Sequence, residues 1–170
     1  MKKKYLTFGL CVSIVLIIDM LTKIVFEGKE FHLIKGFIGI LSCHNSGAAF
    51  SMFSGYTIAL IIFTAILMII FMIYYIKVNN DNIVYQISFS LIMGGAIGNF
   101  IDRIIFGYVR DFINLEFINF AIFNIADTAL TLGIIGLCVY ILFLDKNNKF
   151  NDKNNTLNKN EDDNLIQKEK

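Results

Sequence analysis

Read from its amino terminus, the chain alternates long apolar runs with shorter polar stretches. Four runs reach the roughly 20 mostly apolar residues that a bilayer-crossing helix needs: 5–25, 57–77, 83–104 and 123–144. Between the first two, FHLIKGFIGILSC mixes apolar and polar positions irregularly and is punctuated by glycine, which predicts short strands rather than a helix. VRDFINLEFINFAIF, between the third and fourth runs, reads the same way. Beyond Leu144 the chain turns rich in Asn, Lys and Asp, too polar to bury a core. The pattern predicts an all-α membrane protein: a four-helix transmembrane domain over 1–145 with a small β-like cap, then a disordered polar tail over 146–170.

Composition strengthens this picture. Hydrophobic residues make up 56% and charged residues 17% of the 170, against roughly 45–50% and 25% in soluble domains. The net charge of +1, with no basic stripe outside the termini, argues against a nucleic-acid partner. Short-loop cations set orientation. Lys2, Lys3, Lys4, Lys77, Lys146, Lys149 and Lys153 fall on one side of a four-span chain, whereas Lys29, Lys35 and Arg110 on the other are offset by Glu27, Glu30, Asp111 and Glu116. Both termini are therefore expected to be cytoplasmic, with the Glu27–Gly55 and Ile105–Ile122 loops outside and forming the cap. The first span follows three lysines as a signal peptide would, but it continues into DMLTK without a small-residue cleavage site, and three more spans follow. Cys11, Cys43 and Cys138 have neither disulfide nor metal-ligand spacing.

Ionisable groups inside a bilayer are costly and mark function by default. With the topology above, Asp19 and Lys23 of the first span and Asn99, Asp102 and Arg103 of the third come late in outward-running helices. Asn124 and Asp127 come early in an inward-running one, and Asn45 and Asp111 lie in the outer loops. All reach one level of one leaflet. Asp19 and Lys23, at i and i+4, share a helix face, as do Asn99, Asp102 and Arg103, and again Asn124, Asp127 and Thr131. Simpler roles exist for several of these. Asn124 with Asp127 is capping-box-like, Asp19 with Lys23 is a self-neutralising pair, and Asn45 suits an ordinary turn. Gly94, Gly95, Ala96 and Gly98 permit close backbone approach by a neighbouring helix.

Taken together, DMLTK at 19–23, NSGAAFS at 45–51, GGAIGNFIDR at 94–103, VRDF at 109–112 and FNIADTALTLG at 123–133 resemble, in order, the motifs of the lipoprotein signal peptidases (signal peptidase II, peptidase family A8). The resemblance spans all four helices. It implies an aspartic endopeptidase of the bacterial cytoplasmic membrane, with its active site near the extracytoplasmic face. Such enzymes cut prolipoproteins just before a diacylglyceryl-modified cysteine. The implied catalytic pair is Asp111 and Asp127, with Asp19, Lys23, Asn45, Gly47, Asn99, Asp102, Arg103 and Asn124 as supporting or substrate-binding residues. The implied partners are lipid-modified prolipoproteins and membrane lipids, for a monomer with no cofactor and no metal. Arg110 departs from the pattern, since the family usually carries an apolar residue there, and this opens the question of the electrostatics beside Asp111.

Metal-free hydrolysis of a peptide needs one carboxylate to activate water and one carboxylic acid to polarise the carbonyl, and two close carboxyls share a proton for this purpose. Asp102 competes with Asp111 for the second role. Its neighbour Arg103 is expected to hold it ionised, which suits an anchor better. No G-x-S-x-G elbow surrounds Ser46 or Ser51, and His32 and His44 lack zinc-peptidase spacing. The alternative function is a small proton-coupled transporter using the buried acids. Transporters tend to place their sites at the midplane of repeated halves, and no internal repeat is present here.

Overall fold

Each apolar run becomes a helix because no other open structure satisfies its backbone away from water. A computed structural model describes residues 2–47, 55–78 and 80–145. Its elements are α1 (Lys2–Phe26), β1 (Glu30–Ile34), β2 (Ile38–Asn45), α2 (Thr57–Lys77), α3 (Ile83–Phe106), β3 (Val109–Leu115) and α4 (Ile125–Val139), the last extended by a π-helical turn over Tyr140–Leu144. All four helical stretches are long and apolar enough to cross a membrane. The tail expected to be disordered lies outside the described residues, as does the 48–51 part of the NSGAAFS motif.

The boundaries shift in instructive ways. The third span runs to Phe106 and stops at Gly107, whose φ of 79° takes the left-handed conformation that closes many helices. The fourth begins at Ile125, with Asn124 in extended conformation as its cap. At the start of α3 the Asn82 side chain accepts hydrogen bonds from the Val84 and Tyr85 amides. Of VRDFINLEFINFAIF, only Val109–Leu115 is strand, and Phe123 returns to it through a single bridge to Ile113.

Helix α3 is the centre of the bundle. It carries more buried residues than any other element, whereas α2 among its own residues buries only Tyr75 and turns most of its Ile side chains and Phe63 outward. Small residues let α3 sit against two neighbours. A β-carbon at Gly98 would stand 2.7 Å from the Asp19 carboxylate of α1, and one at Gly95 would overlap the Ala126 carbonyl of α4. Because the atom met at Gly95 is backbone, Gly95→Ala is expected to force α3 and α4 apart and destabilise the protein by about 1–3 kcal/mol. Thermal unfolding in detergent reads this directly, and an unchanged midpoint would contradict it.

One end of the bundle is closed by aromatic packing among Tyr75, Tyr85, Phe89 and Tyr140. There Lys4, 2% exposed, donates through Nζ to the Tyr75 and Val78 carbonyls at 2.7 and 2.6 Å. A cation thus satisfies the bare carbonyls at the end of α2. At the opposite end the three strands form an antiparallel sheet in the order β1-β2-β3. In the β2–β3 pairing Cys43 faces Asp111 and Asn45 faces Val109, past an irregularity between Ile40 and Cys43.

Candidate active site

The sheet, the last turns of α1 and α3 and the first turn of α4 converge on one cluster of polar side chains. Asn124 organises it. Its side-chain oxygen accepts from the Asp127 backbone amide at 2.9 Å, and its own backbone amide donates to the Asp127 carboxylate at 3.2 Å. The capping box is therefore present. The same side chain also donates through Nδ2 to Asp111 Oδ1 at 2.7 Å and to Asn99 Oδ1 at 3.1 Å. Capping and cluster assembly are done by one residue, with no exposed surface, that touches both Asp111 and Asp127.

Each of those carboxylates has a second donor. Asn45 Nδ2 donates to Asp111 Oδ2 at 3.0 Å, and Asn99 Nδ2 donates to Asp127 Oδ1 at 2.7 Å. The Asn45 side-chain oxygen accepts from the Gly47 amide at 3.0 Å, so this residue makes a turn and holds a carboxylate at once. Arg103 Nη2 donates to the Gly47 carbonyl at 2.8 Å, tying that turn to α3. Asp111 is 3% exposed. Burial, and after it the neighbouring Asp127 charge, pushes its carboxyl up to about 7.

Behind this layer lies a fully buried charge network. Lys23 Nζ is 2.8 Å from Asp19 Oδ2, 3.3 Å from Asp102 Oδ2 and 3.1 Å from Asn99 Oδ1. Asp19 Oδ1 accepts from the Ala126 amide at 2.9 Å, satisfying a bare donor in the first turn of α4. One expectation is corrected here and one open question is answered. Asp102 is held by Arg110 and Lys23, and its sequence neighbour Arg103 turns away to Gly47. Arg110 in turn does not perturb Asp111 from alongside, because adjacent strand residues point to opposite faces. Its guanidinium donates to Asp102 at 2.8 and 3.3 Å, its backbone amide to the same carboxylate at 3.0 Å, and its plane lies over Phe106 at 4.5 Å. No signal in the sequence paired residue 110 with residue 102.

The cluster opens into a trough of about 770 Å³ between α2, α3 and α4. Thr64, Leu67 and Phe71 of α2, Ile92 and Ala96 of α3, and Leu130 and Ile134 of α4 make its walls. Asn45, Asn99, Arg103, Asp111 and Asp127 stand along it, whereas Asp19, Lys23 and Asp102 lie behind, at most 1% exposed. The apolar wall residues of the trough carried no individual signal in the sequence, since apolar helix positions read alike whether they face lipid or a cavity.

Comparisons with known proteins accord with this architecture. The family profile described as Signal peptidase (SPase) II matches residues 11–143. A lipoprotein signal peptidase of Staphylococcus haemolyticus is 39% identical over 156 residues, covering 87% of this chain and 98% of that protein. One from Staphylococcus aureus (strain JH9) is 40% identical over 158 residues, covering 88% and 96%. A bacterial membrane enzyme solved by the in meso method at 2.3 Å resolution superposes with a TM-score of 0.77 at 38% identity, over 84% of this chain and 91% of that one. With a profile spanning all four helices and relatives matched along nearly their whole length, the chain belongs to the signal peptidase II family, the lipoprotein signal peptidases.

Proposed function

We propose that the chain is an intramembrane aspartic endopeptidase that releases the signal peptide of diacylglyceryl-modified prolipoproteins, cutting before the lipidated cysteine. The observation that carries this reading is the pairing of Asp111 and Asp127 through Asn124 at the mouth of an apolar trough. Two carboxyls so placed share one proton and titrate as a unit. The ionised member takes a proton from water as it attacks the scissile carbonyl. The protonated member donates to the developing oxyanion; as the C–N bond breaks, the proton taken from water passes to the leaving amine and the acid recovers its own from the tetrahedral intermediate. Asn45, Asn99 and Asn124 hold the two carboxyls in place, and Lys23, Asp19, Asp102 and Arg110 hold the asparagines and strands. The trough receives the apolar segment of the signal peptide and the acyl chains, entering sideways from the bilayer.

In this reading residues 1–145 form the peptidase unit of a monomer. The sheet faces the extracytoplasmic side, because the lysine-bearing ends of α1 and α2 lie at the other end of the bundle and belong to the cytoplasm. A lipidated prolipoprotein incubated with membranes bearing this chain is expected to shift to its processed size without an ion gradient. Unprocessed precursor in the presence of folded protein would overturn the reading.

A pH dependence follows from Asp111. The folded carboxyl keeps its proton to about 7, while the unfolded one releases it near 3.8. The folded state therefore binds more protons in between, and the stability this contributes is complete below about pH 4 and lost as pH rises through about 7. The shared proton is lost over the same upper range, so kcat is expected to fall above neutrality. Asn45 donates to the ionised form, so Asn45→Ala should move this limb to higher pH. A kcat that stays flat from about pH 6 to 9 would sink the shared-proton mechanism.

A further inference from the structure

Asp111 borders two spaces. Besides the trough, a cavity of about 360 Å³ lies outside the helices, between the sheet and the segment that leads into α4. Cys43, Asn45, Asp111 and Asn119 line it together with 120–122. Asn45, Asp111 and 120–122 also line the trough, so Asp111 stands where the two spaces meet. We propose that this cavity binds the polypeptide that follows the scissile bond, a short run of small or polar residues, with Cys43 and Asn119 as the wall that sets its size.

The proposal rests on the peptidase reading above and deepens it. A peptide hydrolysed at Asp111 must continue on both sides of the reacting carbonyl. The trough is apolar and flanked by membrane helices, so it suits the signal segment. The cavity sets the amides of Asn45 and Asn119, the Cys43 thiol and the Asp111 carboxyl against the apolar side chains of 120–122, a more polar lining than the trough's, and it suits the chain that leaves the lipid phase. Its volume sits at the lower end of the roughly 300–1,000 Å³ usual for binding pockets, room for a few residues rather than a folded unit. Cys43 is placed to control it. Its Cα pairs with that of Asp111 across the β2–β3 ladder, and strand alternation puts it on the same face as Asn45, whose amide reaches Asp111 at 3.0 Å. Burial and the nearby Asp111 charge both raise the Cys43 thiol, as expected of groups on one cavity wall.

Two synthetic substrates test this: a diacylglyceryl-cysteine prolipoprotein peptide ending at the cysteine carboxamide, and the same peptide extended by four polar residues. Cys43→Trp fills the cavity and is expected to lower the ratio of kcat/KM, extended over truncated, about tenfold, while Cys43→Ser preserves the ratio. A Cys43→Trp ratio equal to wild type, with both substrates slowed alike or neither affected, would overturn the proposal. A second measurement does not depend on how well the Trp variant folds. In an Asp127→Asn, Cys11→Ser, Cys138→Ser background at mildly alkaline pH, saturating extended peptide should slow N-ethylmaleimide alkylation of Cys43 about fivefold, and truncated peptide should not. Equal alkylation with and without extended peptide would count against it. Full cleavage by the Asp127→Asn background would instead overturn the peptidase reading, which separates the two failures.

Discussion

Asp111→Asn and Asp127→Asn are each expected to lower cleavage of a lipidated precursor by about a thousandfold or more, because a carboxamide neither accepts a proton from water nor donates one to an oxyanion, and paired groups that act as a unit fail together. The double variant should therefore be little worse than either single one. The structural cost must be measured alongside. Asp111 accepts from Asn124 and Asn45, and Asp127 from Asn99 and the Asn124 amide, so an amide nitrogen in place of either oxygen faces another donor. That mismatch costs about 1–3 kcal/mol, enough to lower yield but not to explain a thousandfold loss in folded protein. Asp102→Asn supplies the contrast. Its partners Arg110 and Lys23 anchor β3 and α1 to α3, so stability should drop while cleavage per folded molecule survives in large part. Near-normal cleavage by folded Asp111→Asn would remove that residue from the pair. A thousandfold loss confined to Asp102→Asn would move the chemistry to Asp102.

The second large effect is expected at Lys23. Its Nζ contacts Asp19, Asp102 and the Asn99 carbonyl oxygen in a region with almost no exposure. Lys23→Met leaves Asp19 without its cation and Asp102 with Arg110 alone. Removing one partner of a buried charge pair costs about 3–5 kcal/mol, because the remaining charge has no solvent to replace it. The Asp19→Asn, Lys23→Met double variant removes both charges of the tightest pair and should regain a large part of the loss. Denaturation midpoints of the four proteins in one detergent measure this coupling, and strictly additive losses would mean that the pair contributes nothing as a pair. Activity should recover less than stability, since Asn99, which holds Asp127, loses its cationic donor in both variants.

The four helices were legible in the chain because crossing a bilayer imposes a length and an apolar content that each segment meets by itself. The Asp19–Lys23 pair and the Asn124–Asp127 cap were legible for the same local reason, since neighbours on a helix are fixed by spacing alone. Long-range pairing was not. That Arg110 rather than Arg103 neutralises Asp102 depends on strand alternation at β3 and on how far α3 extends past residue 104. That Asn124 reaches Asp111 and Asn99 as well as capping its own helix depends on three elements meeting, and that Cys43 shares a cavity with Asp111 depends on an irregular register between two strands. Such contacts join residues on different elements, whether eight positions apart as Asp102 and Arg110 are or 25 apart as Asn99 and Asn124 are, and their partners are chosen by the packing of rigid elements rather than by any pattern along the chain.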